Sequence, residues 1–312
     1  MKRPILRNLT LAAMMLAATA GLTSCFTGIE STPKITQSDV KRENIRTSPE
    51  QTFLSDIHGQ PFGSWQPGKR FIATDNRLAT MSVTTPAQIG DISGRNLRYE
   101  GWRGGVSVTG DSVTDVTLLT PEGHRLTYRL SASPSVLWQR TDVDIPFTIE
   151  GSVVDSVAAR IGRQTYYVIT SLWYDRDDQS ITGKKFVKAT VDSVMPGNTV
   201  YPIKLIMRLE DDRLFNLFLS VGSSHKNPRG FGSLFSLTDP RLNYPSISDE
   251  TWQNIINARV ARGMSRDECK LALGAPNRID RGTDNSYLYE RWYYDSGIYL
   301  TFQDGILTSF RR

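Results

Sequence analysis

The 312-residue sequence predicts a mainly β chain that ends in a small α+β module. Three observations carry this. Short runs of β-branched and aromatic residues recur with turn signals roughly every ten residues, the spacing of small all-β modules. Two series of such runs echo each other through the middle of the chain. From Ser248 onward the apolar spacing changes from three- and four-residue steps to alternation, so helices give way to strands. The expected plan is a leader at 1–24, a tether at 25–50, β-rich modules at 51–140 and 141–248, and a helix-helix-three-strand module at 249–312.

At the amino terminus, Lys2, Arg3 and Arg7 precede a nearly unbroken apolar run from Leu9 to Leu22, the charged and hydrophobic regions of an export signal. The run is too short to span a ~30 Å hydrocarbon core. It closes on Leu22-Thr23-Ser24-Cys25, which resembles the lipobox of bacterial lipoproteins. That resemblance makes Cys25 the lipid attachment site and the membrane a partner through the lipid; a second acyl chain would make attachment stable, since one chain binds marginally. In Bacteroidetes-like lipoproteins an acidic run after the cysteine accompanies surface exposure. Phe26-Thr27-Gly28-Ile29-Glu30-Ser31 stands here instead, implying the cell envelope, and within it the outer membrane, facing the periplasm. Glu30 to Glu50 is polar and reads as a tether.

The first series runs through a strand at Gly94 to Tyr99, a strand at Val113 to Leu119, a turn at Pro121 to Gly123 and a strand at Leu126 to Leu130. In the second, Gly162 to Tyr167 is followed by Phe186 to Val194, a turn at Pro196 to Asn198, Ile203 to Leu209, a turn at Glu210 to Asp212, and Leu214 to Val221. This order predicts a duplicated all-β module, with the small SH3-like barrel as the expected form. A tighter echo relates Phe71 to Leu78 with Phe235 to Leu242, each reading Phe-x-x-Thr-Asp-x-Arg-Leu. Asp75/Arg77 and Asp239/Arg241 are therefore either twin ligand sites or, the preferred reading, turns in which Asp bonds its own backbone while Arg covers a seam.

In the end module, Trp252, Ile255, Ile256 and Val260 fall on one helical face, and Gly263 stops that helix. Ser265 and Glu268 form a capping box for a second helix, with Met264 and Cys269 as its hydrophobic staple. Gly274 supplies a left-handed cap, and Pro276 prevents continuation. Three strands follow at Tyr287 to Tyr294, Ile298 to Phe302 and Ile306 to Phe310, the last two joined by Asp304-Gly305, a type I′ hairpin signal. Through Gly263-Met264-Ser265, Leu273-Gly274-Ala275-Pro276, Glu290-Arg291-Trp292-Tyr293-Tyr294 and Phe302-Gln303-Asp304-Gly305-Ile306 this stretch resembles the BamE (SmpA/OmlA) family of small outer-membrane lipoproteins. The resemblance covers about sixty residues. It implies a two-helix, three-strand fold and a setting in which outer-membrane β-barrels are assembled, hence envelope proteins as partners. No partner-binding residue of the family maps onto a matching position.

The formal charge of +5 shrinks once a leader with three cations is removed, and no segment concentrates lysine and arginine, which argues against nucleic acid. With Cys25 assigned to lipid, Cys269 has no partner for a disulfide and occupies a position suited to a small buried residue. His58, His124 and His225 are far apart, and neither Asp175 to Asp178 nor Glu210 to Asp212 has the donor order of a calcium loop, so no metal or cofactor is expected. The best candidate contact loop is Ser223 to Gly232, where His225, Lys226, Arg229 and an exposed Phe231 would grip an anionic group. The expected function is that of a non-catalytic envelope scaffold or assembly factor. The alternative is a glycan- or peptidoglycan-binding lipoprotein that uses tryptophans such as Trp102 and Trp173.

Overall fold

The computed structural model describes residues 48–83, 89–222, 229–284 and 287–311. The expected leader, Cys25, most of the tether, and His225 and Lys226 lie outside the described residues. Among those described, strands outweigh helices and form three antiparallel sheets.

A short helix α1 (Pro49–Thr52) precedes the first sheet in the chain; the strands of that sheet are β1 (Arg70–Ala73), β2 (Asn96–Val106), β3 (Ser112–Leu119), β4 (Arg125–Leu130) and β5 (Thr148–Glu150), in the order β4-β3-β2-β1-β5. Strands β2 to β4 are the first series of the sequence, and the turn at Gly123 takes the positive φ of 87° that its glycine permits. Alternation along β3 sends Val116 and Leu118 inward to meet Phe71, Leu97 and Leu126. Two small helices, α2 (Arg77–Met81) and α3 (Pro134–Leu137), line this core.

An 11-residue helix, α4 (Gly151–Ile161), then appears where an all-β module was expected. Its valines read as strand formers, yet Val153, Val154, Val157 and Ile161 fall at helical spacing and are all buried. The second sheet follows: β6 (Thr165–Val168), β7 (Leu172–Tyr174), β8 (Ser180–Thr182), β9 (Val187–Pro196), β10 (Ile203–Leu209), β11 (Leu214–Leu219), then helix α5 (Phe231–Leu234) and β12 (Phe235–Ser236), ordered β12-β6-β9-β10-β11-β7-β8. Strands β6, β9, β10 and β11 are the second series. The tighter echo takes equivalent places: β1 pairs with β2 and β12 with β6, so each copy borders the first strand of its series.

Segments cross between the first two sheets. Leu54 and Ile57, before the first sheet, and Ile72 and Ile149, within it, belong to the core of the second. Where β1 meets β5, Lys69 pairs with Glu150 at 2.6 Å, with only 7% and 10% of their side chains exposed. The Glu150 carboxylate also accepts from the Gln60 amide at 3.0 Å. Gly59 lies so close that any side chain would strike that carboxylate.

The end module contains α6 (Asp249–Ile256), α7 (Arg266–Leu273), β13 (Arg278–Asp284), β14 (Tyr287–Tyr293), β15 (Tyr299–Gln303) and β16 (Ile306–Arg311), the strands forming one meander in chain order. The capping box is present in both directions: Glu268 N–H donates to Ser265, and Ser265 N–H donates to the Glu268 carboxylate at 2.7 Å. Asp304 and Gly305, at φ of 49° and 85°, make the expected hairpin. Leu300 and Phe302 press on the helices together with Trp252, Met264, Cys269 and Trp292.

Three expectations are corrected here. Helix α6 stops at Ile256 rather than running to Val260, because Ala258 turns left-handed at φ 50°. The meander has four strands, not three: β13 is a polar edge strand whose Ile279 is only half-buried, so it carries no alternating apolar signature. Gly274 has φ 88° but ψ −170°, so it is not in the left-handed helical well; this is the extended positive-φ region that essentially only glycine enters.

Apart from its chain neighbours, no residue comes within 4 Å of where a Gly274 side chain would begin, so substitution there tests backbone strain. Gly274→Val is expected to destabilise the chain by about 1–3 kcal/mol, and an unchanged thermal midpoint would refute the strain. Lys69→Met strands a buried carboxylate and is expected to cost about 3–5 kcal/mol, while Lys69→Met/Glu150→Leu recovers most of it; denaturant titration of the three chains distinguishes a buried pair from a solvated one.

Candidate functional site

The described half of the predicted contact loop is structural. The Arg229 guanidinium sits 4.5 Å from the ring centre of Tyr201 and 5.6 Å from that of Tyr174, and donates to the Tyr174 hydroxyl at 2.9 Å. Phe231 is not exposed as expected but 3% accessible, packed against Phe53, Tyr166 and Phe235 at ring separations of 4.5 to 5.0 Å. The glycine-rich context that reads as an open loop has a packing purpose. Gly232 brings α5 against the backbone of Glu50, where a Cβ would come within 3.1 Å.

The other candidate reacting groups also have structural tasks. Cys269 is completely buried, and burial pushes its thiol up to about 12, with Glu268 adding to the shift. Asp175 accepts from the amides of Asp177 and Gln179, closing its turn. Asp178 accepts from Lys204 at 2.7 Å and from Asn216 at 2.8 Å. In the twin Thr-Asp motifs, Asp75 accepts from the Arg77 amide at 2.8 Å and Asp239 from the Arg241 amide at 2.9 Å, the self-bonded turn preferred from sequence. Arg77 then lies over Phe147 and Arg241 over Trp252, each covering a seam. The motifs diverge at their last residue: Leu78 is fully buried, whereas Leu242 is 75% exposed, carried outward by the short 3₁₀ turn that begins at Pro240.

Trp173 lies flat on Phe215, with ring centres 3.7 Å apart, and is 5% accessible, so it cannot present a face to a ligand. Trp102 and Trp138, by contrast, are 42% and 55% exposed. Both flank the turn at Phe62 and Gly63: the Phe62 ring is 6.1 Å from that of Trp102, and a Cβ on Gly63 would come within 2.9 Å of Trp138.

The concave surface that gathers free charge lies where the second sheet meets the end module. A cavity of about 430 Å³ is walled by Tyr167, Lys188, Asp239 and Arg241 and by the Glu210–Arg213 turn. A neighbouring one of about 720 Å³ is walled by Arg176, Ile181, Arg259 and the Trp173/Phe215 stack, and shares Lys184, Leu209, Asp211 and Arg213 with the first. Arg213 is held by Asp211 at 2.7 Å, which keeps that carboxyl below its usual range. Among the described residues Lys184, Lys188, Arg176, Arg241 and Arg259 form no salt bridge, although Lys184 lies near enough to Asp211 to help lower its pKa; with Arg213 these six cations outnumber the four wall carboxylates Glu210, Asp211, Asp212 and Asp239, so the cleft is net cationic and suited to hold an anion.

Sequence reasoning singled out Asp239, Arg241 and the Glu210–Asp212 turn. It missed Arg176, Lys184, Lys188 and Arg259, which are spread along the chain and have no shared motif. Lys184-Lys185 beside Lys188 was the signal available.

A thiol reagent is expected to modify Cys269 only as the chain unfolds. Because the unfolded thiol releases its proton at lower pH than the folded one, stability attributable to Cys269 is complete below pH 9 and declines as pH rises toward 12. Rapid labelling of the native chain at pH 8 would contradict this burial. Comparison of the chain with protein-family models, with curated proteins and with solved structures yields no match.

Proposed function

We propose that this chain is a lipid-anchored, periplasm-facing envelope lipoprotein that acts as a non-catalytic scaffold or assembly factor for other envelope proteins. One observation carries this reading: among the described residues Cys269, Asp175 and Asp178 are committed to a core and to turns, while five cations without salt bridges line one open cleft between modules. A surface of this kind supports binding through charge.

The finer architecture is part of the same proposal. The end module is read as BamE-like, supported by its two capped helices, the Asp304-Gly305 hairpin and the burial of Trp292 and Phe302. Strand β13 is a departure from the three strands of that family. The first two modules are read as divergent copies of an SH3-like barrel, supported by the matching positions of β1 and β12 beside β2 and β6.

A second reading, glycan or peptidoglycan binding, is favoured by one feature, the exposed pair Trp102 and Trp138. Retention on purified cell wall that is lost in Trp102→Ala/Trp138→Ala would select it.

For the first reading, mass spectrometry of the mature protein is expected to find acylated Cys25 at the amino terminus, and Cys25→Ala to release the chain from the membrane. Crosslinking in intact cells is expected to capture discrete partners; recovery of free monomer alone would refute the scaffold.

A further inference from the structure

We propose that the cleft takes an extended acidic segment of a partner protein, laid against the free edge of β8 with its carboxylates on Arg176, Lys184 and Arg259. The inference rests on the scaffold reading and adds the chemistry of the partner.

Strand β8 is the outermost strand of the second sheet. Its middle residue, Ile181, pairs with Trp173, and the flanking backbone bonds run from Gly183 to Ser171 at 2.7 Å and from Asp175 to Gln179 at 3.0 Å. Antiparallel alternation therefore turns the N–H and C=O groups of Ser180 and Thr182 away from β7, toward open space. All three β8 residues are exposed, Ile181 by 41%, and Ile181 and Thr182 form part of the larger cavity wall. An unpaired edge of this kind is a template for an added strand.

The charges around the edge select what that strand carries. Arg176 belongs to the β7–β8 turn, Lys184 follows β8, and Arg259 follows α6, so cations reach the cleft from both modules without salt bridges among the described residues, while the wall carboxylates Asp211 and Asp212 are held by Arg213 and Arg208. Lys184 is shared with the smaller cavity, where Lys188 and Arg241 continue the cationic lining. Cations distributed along a groove suit a chain with carboxylates at alternate positions, since every second side chain of an added strand faces the same way. A sugar polymer fits less well. In the larger cavity the wall rings, Trp173 and Phe215, stack on each other and are 5% and 3% accessible, so neither offers an open face to a pyranose beside β8.

The experiment titrates the full-length chain in detergent with a fluorescent peptide of alternating Glu and Thr, with a Lys-Thr peptide and polyuronate as rivals. The Glu-Thr peptide is expected to bind, more weakly as salt is raised, and to slow hydrogen exchange at the amides of Ser180 and Thr182. Lys184→Glu/Arg259→Glu, both exposed positions, is expected to weaken it by about tenfold or more through like-charge repulsion. If that variant melts early, Arg176→Gln provides the same reading on a folded chain. Absence of Glu-Thr binding, tighter binding of polyuronate, unchanged affinity in the variants, or binding without protection at β8 would each overturn the proposal. Partners crosslinked in cells alongside a failed titration would sink this inference alone; a successful titration without any cellular partner would sink the scaffold reading alone.

Discussion

Lys185 joins the second sheet to the end module, next to the cleft residue Lys184. Its backbone N–H donates to the Ile256 carbonyl at the end of α6, and its ammonium donates to the Leu271 carbonyl in the last turn of α7 at 2.5 Å. Both acceptors belong to helix termini, where carbonyls have no intrahelical partner and the dipole favours a cation. Burial lowers the pKa of this lysine, and the Leu271 carbonyl stands in for part of the water its ammonium has lost. The next residue, Phe186, sets its ring edge-on to Trp252 at 5.7 Å and completes the joint. Lys184 on the other side is left exposed in the cleft wall.

The same economy recurs between the first two sheets. Strand β1 supplies Phe71 to one core and Ile72 to the other, as successive residues of a strand must when both faces are covered. Helix α4 follows β5 directly and packs on the second core, so the chain passes between modules with almost no linker. The buried Lys69–Glu150 pair lies at this crossing. Its partners come from residues 60, 69 and 150, and the pairing therefore holds the entry of the chain against β5.

These joints bear on function. Shared cores and clamped helix ends join the modules around the cleft, and under the proposed scaffold role this would spare a partner the cost of ordering them. Neither acidic turn, Asp175–Asp178 nor Glu210–Asp212, has the donor order of a ligand loop. In the fold they close β-turns and hold Lys204, Asn216 and Arg213 in place, leaving the cations around them free.

What the sequence determined by itself was local: the capping box at Ser265, the hairpin at Asp304-Gly305, the strands of both series and the self-bonded Thr-Asp turns. The cap, the hairpin and the self-bonded turns are interactions between residues a few positions apart, and the strands show in their own composition and alternation. Strand β13 and helix α4 escaped notice because an edge strand needs no apolar alternation and a valine-rich helix resembles a strand. The burial of Phe231, the stacking of Trp173 on Phe215 and the cleft itself were decided only by tertiary structure. They bring together residues as distant as Arg176 and Arg259, and no spacing rule along the chain encodes which charges will be left without partners once three sheets have packed.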